Sequence, residues 1–175
     1  MVELNSRDRL QPSLLDRLID LEPAHHKESQ DTRALTRQQL RAAVLRDLSS
    51  LFNAIRPEPE RDSTRTAEIT LWQGLDFARR SVLNYGMPAF SGLTLSSLDV
   101  HAIEHGVTEA IRTFEPRIDP QSLHVEVKID ASNHHNTLQI VIRGQMWCQP
   151  VPLDLLLSAD VDVETGNTCV RELRS

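Results

Sequence analysis

The sequence predicts an α+β fold, with N-terminal helices packed on a C-terminal antiparallel β-sheet. Two observations carry this. Up to Phe114 the apolar residues recur every three or four positions, whereas beyond Ile118 they alternate with polar ones. The alternating runs are also joined by short polar connections, which suit a meander and leave no room for the helical crossovers of a doubly wound sheet. At 175 residues the chain can bury one core. It divides into an N-terminal arm over 1–35 and a single α+β domain over 36–175.

Within the arm, Leu14, Leu15, Leu18 and Ile19 form one helical stripe between the charged Asn5–Arg9 and the acidic, His-bearing 22–31. The pattern fits either a helix that orders on a partner or one packed on its own domain. Thr36 and Gln39 have capping-box spacing and open a helix from Arg37 to Ile55, with Leu40, Val44, Leu48, Leu51 and Ile55 on its apolar face. Pro57 and Pro59 stop it. Leu71, Leu75, Ala78 and Val82 predict a further helix over 69–83, broken by Gly86, Pro88 and Gly92. Ser96 with Asp99 resembles another capping box, opening a helix to Phe114 with Val100, Ile103, Val107, Ala110 or Ile111, and Phe114 facing inward.

Three long alternating segments follow. Leu123, Val125, Val127 and Ile129 alternate with His124, Glu126, Lys128 and Asp130. Asn133–Asn136 is a hairpin connection into a strand with Leu138, Ile140 and Ile142 on one face. After Gln149–Pro152, six alternate apolar positions run from Leu153 to Val163, and Glu164–Asn167 turns the chain into a short last strand, Thr168–Leu173.

The net charge of −6 argues against general affinity for nucleic acid or anionic membrane. Arg37, Arg41 and Arg46 share their helix with Asp47 and read as a solvated face. No apolar run approaches the roughly 20 residues of a membrane span, and the N-terminus has no export signal pattern. Cys148 and Cys169 are too few for a disulfide framework and alternate with core positions, which predicts reduced structural thiols in a cytosolic protein.

Chemistry is hard to place on these residues, and no cofactor is expected. His101 and His105 lie one turn apart but lack the glutamate of a zinc-helix motif, and Glu104 reads as solvent-facing between them. The adjacent pairs His25–His26 and His134–His135 do not converge on one ion. There is no nucleophile elbow and no phosphate-cradling glycine loop. Gly86 more plainly supplies a positive φ in a tight turn. Glu115 is the only attractive general acid, with Asp119 as a mate, but the guanidinium of Arg117 two residues on favours the charged carboxylate, opposite to what an acid needs.

Phe114-Glu115-Pro116-Arg117-Ile118 is the most informative stretch. Pro116 ends the helix at Glu115, so Glu115 and Arg117 project to one side of an extended exit, bracketed by Phe114 and Ile118. That couple is either an exposed local brace worth roughly 0–1 kcal/mol or a buried contact that sets partner choice.

Four stretches carry a family resemblance: Pro12–Leu18 (PSLLDRL), Asp47–Asn53 (DLSSLFN), Ser81–Pro88 (SVLNYGMP) and Phe114–Ile118 (FEPRI). In this order they resemble the TssE family, the small baseplate subunits of type VI secretion systems, which are similar to the lysozyme-like small wedge protein of contractile phage tails. The resemblance implies the phage baseplate wedge fold and a structural, non-enzymatic role. Implied partners are TssF, TssG and TssK, the sheath proteins TssB/TssC and a VgrG-type spike hub. It implies a cytoplasmic baseplate docked at the inner membrane complex, without insertion into the membrane. Glu115, Pro116 and Arg117, flanked by Phe114 and Ile118, would contact the baseplate core, and Asn84, Tyr85, Gly86 and Pro88 would form a structural turn. In this family an acidic residue usually follows that proline, whereas Ala89 stands here. Alternatives are a phage-type tail wedge protein and, more remotely, a peptidoglycan hydrolase acting through Glu115.

Overall fold

A computed structural model describes residues 13–18, 35–59, 63–89, 99–129, 137–148 and 152–173. The elements are α1 (Leu14–Leu18), α2 (Arg37–Phe52), α3 (Thr66–Gln73), α4 (Asp76–Arg79), a 3-10 turn (Val82–Asn84), α5 (Val100–Phe114) and strands β1 (His124–Ile129), β2 (Thr137–Met146), β3 (Leu153–Asp162) and β4 (Thr168–Glu172). The architecture is the expected α+β one. The four strands form an antiparallel meander in the order β1-β2-β3-β4.

The sheet's period-two pattern puts Val125, Val127, Leu138, Ile140, Ile142, Leu155, Leu157, Ala159 and Val161 on one buried face. Opposite them, α2 contributes Leu40, Val44, Leu48, Leu51 and Phe52, and α5 contributes Ile103, Val107, Ala110 and Ile111. α2 lies near β4 and α5 near β1, so each helix guards one side of the sheet. The capping box forms: Thr36 Oγ1 accepts from the Gln39 N–H while Gln39 Oε1 accepts from the Thr36 N–H at 2.8 Å.

Several expectations need correction. α2 stops at Phe52, and Ile55 leaves the core stripe, 62% exposed, to bridge Met87 in parallel. The single helix expected over 69–83 is instead two short helices and a 3-10 turn, interrupted at Gly74, with Leu71, Leu75 and Val82 exposed. Their spacing suited a buried stripe, but no described element covers it. The cap of α5 is Asp99, whose carboxylate accepts from the His101 and Ala102 N–H groups; Ser96 lies outside the described residues. Cys148 is buried but Cys169 is exposed, because β4 is an edge strand with one uncovered face. Ile19, the paired histidines at 25–26 and 134–135, and the hairpin at 133–136 also lie outside the described residues.

Candidate subunit interface

The helix exit is built as Pro116 dictates. The Glu115 N–H makes the last helical bond, to the Ile111 carbonyl at 2.8 Å, and the chain then turns. Residues 117–119 run antiparallel beside the end of β2: Trp147 N–H bonds the Arg117 carbonyl, Ile118 bridges Met146, and Asp119 N–H bonds the Gln145 carbonyl. Ile118 is 2% exposed and locks this segment to the core.

Glu115 and Arg117 project to the same side. Glu115 is buried at 2% exposure, and its Oε1 accepts from Arg117 Nε at 2.6 Å and from the Arg117 backbone N–H at 3.2 Å, while Oε2 accepts from Nη2. The same Nη2 reaches back to Asp47 Oδ2 on α2 at 2.6 Å. Burial works against the Arg117 charge, but the bonds from Glu115 and then Asp47 more than offset it, holding its pKa above the ordinary value. This carboxylate is saturated by a bidentate guanidinium, and the proposed mate Asp119 spends its Oδ1 on the Gln121 N–H. Such an arrangement serves position rather than proton transfer.

The ion pairs continue outward. Asp47 Oδ1 accepts from Arg46 Nε at 2.8 Å, and Arg46 Nη2 lies 2.9 Å from Asp16 on α1. Asp16 in turn accepts from Ser13 Oγ at 2.6 Å. Burial opposes the Asp16 charge, but Ser13 and Arg46 together hold its carboxyl below the usual range. The face of α2 expected to be solvated therefore carries the middle of a relay: Asp16, Arg46, Asp47, Arg117, Glu115. Arg41 is engaged too, with Glu172 and with the Asp154 carbonyl. α1 is tied down through this polar side, so Leu14, Leu15 and Leu18 are exposed instead of packed.

The Ser81–Pro88 turn packs against the same exit. Tyr85 meets Phe114 edge-on, with ring centroids 5.2 Å apart. Burial first, and then the charges of Asp47 and Glu115, raise the Tyr85 phenol pKa. Gly86 takes φ +133°, and a Cβ there would stand 2.7 Å from the Ala54 carbonyl oxygen. Met87 N–H bonds that carbonyl and its own carbonyl accepts from Arg56 N–H, stitching the turn to the end of α2. Pro88 then fills the space over Gly106 of α5, where a Cβ would come within 2.8 Å of it. Asn84 is buried and bonds Glu58 and the Arg79 carbonyl.

Two side chains that sequence reasoning missed belong to the sheet edges. Asn53, at the end of α2, bonds both backbone groups of Thr168 on β4, accepting at 3.0 Å and donating at 2.9 Å. Glu104 of α5, expected in solvent, accepts from the Val127 N–H of β1 at 3.0 Å. Only a strand sequence alternating around them hinted at an edge, and nothing local identified its guards. Among the described residues no three His, Cys, Asp or Glu side chains converge as for a metal ion, and no helix is long and apolar enough to cross a membrane.

A buried carboxylate held by a part-buried guanidinium, tied to α2 and to the end of β2 in a fold with two edge strands, is the kind of braced surface by which a subunit docks in an assembly. A family model described as baseplate wedge protein gp25 matches residues 38–151, and the chain belongs to that family, which takes in TssE and its phage counterpart. The match runs from α2 into the loop after β2 and includes three of the four resembling stretches, leaving α1 outside it. No curated protein matches the chain. The family's role is structural, within the baseplate of a contractile tail, in contact with other baseplate proteins.

Proposed function

We propose that this chain is the TssE-type wedge subunit of a type VI secretion baseplate, joining TssF and TssG beside TssK around a VgrG-type hub. Its baseplate would dock from the cytoplasm onto the inner membrane complex. The observation that carries the reading is the relay itself. It joins the Pro12–Leu18, Asp47–Asn53 and Phe114–Ile118 stretches through side chains, and Ser81–Pro88 packs on the same helix exit through the contact of Tyr85 with Phe114. Pro12–Leu18 lies outside the matched region and favours the secretion form over a phage tail protein. In this mechanism Glu115 and Ile118, both buried, hold the exit rigid, while the exposed Pro116 and the outer rim of Arg117 meet the wedge.

The second half of the function is a strand-accepting edge for the first TssB/TssC sheath ring. On β1 the outward N–H of Val127 is taken by Glu104 in mid-strand, which interrupts any incoming ladder. On β4 only the first rung is taken, by Asn53. Leu173 N–H bonds Leu156 of β3, so the alternate residues Val170 and Glu172 direct their backbone groups away from the sheet. β4 is therefore the edge that suits strand addition.

The test is co-expression with cognate TssF and TssG, comparing wild type with Arg117→Ala and Glu115→Ala, with folding followed by thermal melting. Retention of wild type and loss of a folded Arg117→Ala support the reading. Equal retention reduces the couple to an internal brace, and failure of wild type to bind overturns the secretion assignment.

A further inference from the structure

β1 closes the sheet on the side away from β4, and its outer edge is held by a side chain rather than by another strand. Glu104 of α5 reaches to this edge, where its Oε1 accepts from the Val127 N–H at 3.0 Å. The second oxygen, Oε2, lies 3.3 Å from His101 Nδ1, so both ends of the carboxylate are engaged. Backbone groups along an antiparallel strand point alternately to its two sides. The Val127 bond therefore marks Val125, Val127 and Ile129 as the residues of β1 whose backbone groups face outward. Glu104 stands on the middle one of the three.

The charges of β1 are arranged symmetrically about the same residue. Glu126 and Lys128 alternate with the buried Val125 and Val127, so they share the outer face of the sheet. Both are partly exposed, with Lys128 Nζ 3.6 Å from Glu126 Oε1. A second β1 laid antiparallel, with its two-fold axis at Val127, sets Glu126 of each copy opposite Lys128 of the other. Those pairs fall at the non-hydrogen-bonded positions, where facing side chains come closest. Moving the axis to Glu126 or to Lys128 opposes like charges instead. The strand is thus complementary to itself in one register, with Val127 facing Val127 at its centre. In that central pair each Val127 N–H must donate across the axis, and this is the N–H that Glu104 takes.

We propose that the Glu104–Val127 contact is autoinhibitory: it keeps β1 from pairing with β1 of a second copy in the register centred on Val127. Charge complementarity selects that occupant. An unrelated strand meets the same block without gaining the two Glu126–Lys128 pairs. An unguarded edge with a self-complementary pattern is a template for association, and one carboxylate from α5 removes both hydrogen bonds at its centre. With β1 closed to its own copy, β4 stays the edge open to strand addition. The inference concerns the chain alone and does not depend on the wedge reading.

The test is sedimentation equilibrium of the purified full chain, kept reduced because Cys169 is exposed. Wild type is compared with Glu104→Gln and Glu104→Ala, and the latter also with Lys128→Glu added or with the exchange Glu126→Lys/Lys128→Glu. Wild type and Glu104→Gln should be monomeric, since an amide oxygen still accepts from Val127. Glu104→Ala should self-associate roughly tenfold more tightly than wild type. Adding Lys128→Glu should abolish that gain, and the exchange should restore it because opposite charges face each other again. Melting temperatures follow folding, and Glu104→Met, of similar length but without a good acceptor, takes the place of Glu104→Ala if that variant melts early. A folded variant without the acceptor that stays monomeric overturns the inference, as does a dimer indifferent to Lys128→Glu. Wild type that dimerises as readily as Glu104→Ala overturns it too.

Discussion

Arg117 donates to Asp47 across a sequence separation of 70 residues, at 2.6 Å, and this bond ties the helix exit to the middle of α2. Because Glu115 is buried and spends both oxygens on Arg117, removing either acid leaves a guanidinium that is only about a quarter exposed short of a partner. Glu115→Ala should cost roughly 2–4 kcal/mol and Asp47→Ala roughly 1–2 kcal/mol, read by chemical denaturation. In the Arg117→Ala background the Glu115 substitution should cost less, with a coupling of about 1 kcal/mol or more. Additive losses would show that the relay is not a unit.

Tyr85 is the chain's single tyrosine, so alkaline titration of tyrosinate absorbance reports it alone. Burial and the charges of Asp47 and Glu115 raise its pKa above 10. A raised folded pKa contributes stability that is complete below the unfolded value, and this is lost as pH rises through the folded one. Stability should therefore decline above about pH 10. Asp47→Asn should move the Tyr85 transition back toward the ordinary phenol range. An unchanged midpoint would mean that burial alone sets it.

Gly86 is required twice, by φ +133° and by the 2.7 Å approach of the α2 end. Gly86→Ala should cost about 3 kcal/mol or more, since backbone rather than a flexible side chain must move. A melting temperature near wild type would show that the turn re-forms elsewhere. Gly106→Ala should be milder, because only the Pro88 ring must yield.

The strands were legible because burial on one face imposes a period of two that no other element mimics, as Leu153 to Val163 shows. The exit was legible because Pro116 fixes its backbone locally. The relay was not, although Asp47 and Glu115 each stood within a noted motif. Ion-pair partners 70 residues apart leave no local pattern, and charges on an amphipathic helix look solvated until a neighbour arrives. Asn53 and Glu104 escaped for the same reason, since their partners are backbone groups 115 and 23 residues away. Over 69–83 the apolar spacing was real but misled, because periodicity reports an apolar stripe and not what covers it.

The two thiols should separate in reactivity. Cys169 is exposed on the edge strand and Cys148 is buried. Titration with a thiol reagent should modify one group per native chain quickly and the second only on unfolding. Equal fast reaction of both would place Cys148 at the surface, against its packing.

The orientation of β4 can be tested without any partner. Cys169 and Arg171 lie in the phase that bonds β3, whereas Val170 lies in the outward phase. Cys169→Pro removes an N–H that the sheet uses, and Val170→Pro removes one that it does not. Both pay for proline geometry in a strand, so the difference between them isolates the ladder bond. Cys169→Pro should be the more destabilising by about 1 kcal/mol or more. The wedge carrying folded Val170→Pro should then fail to seed TssB/TssC polymerisation, because an incoming strand loses its central rung. If seeding persists with a folded Val170→Pro, the sheath does not add to this edge. Glu104→Ala, which uncovers Val127 on β1, would then be the next variant to measure.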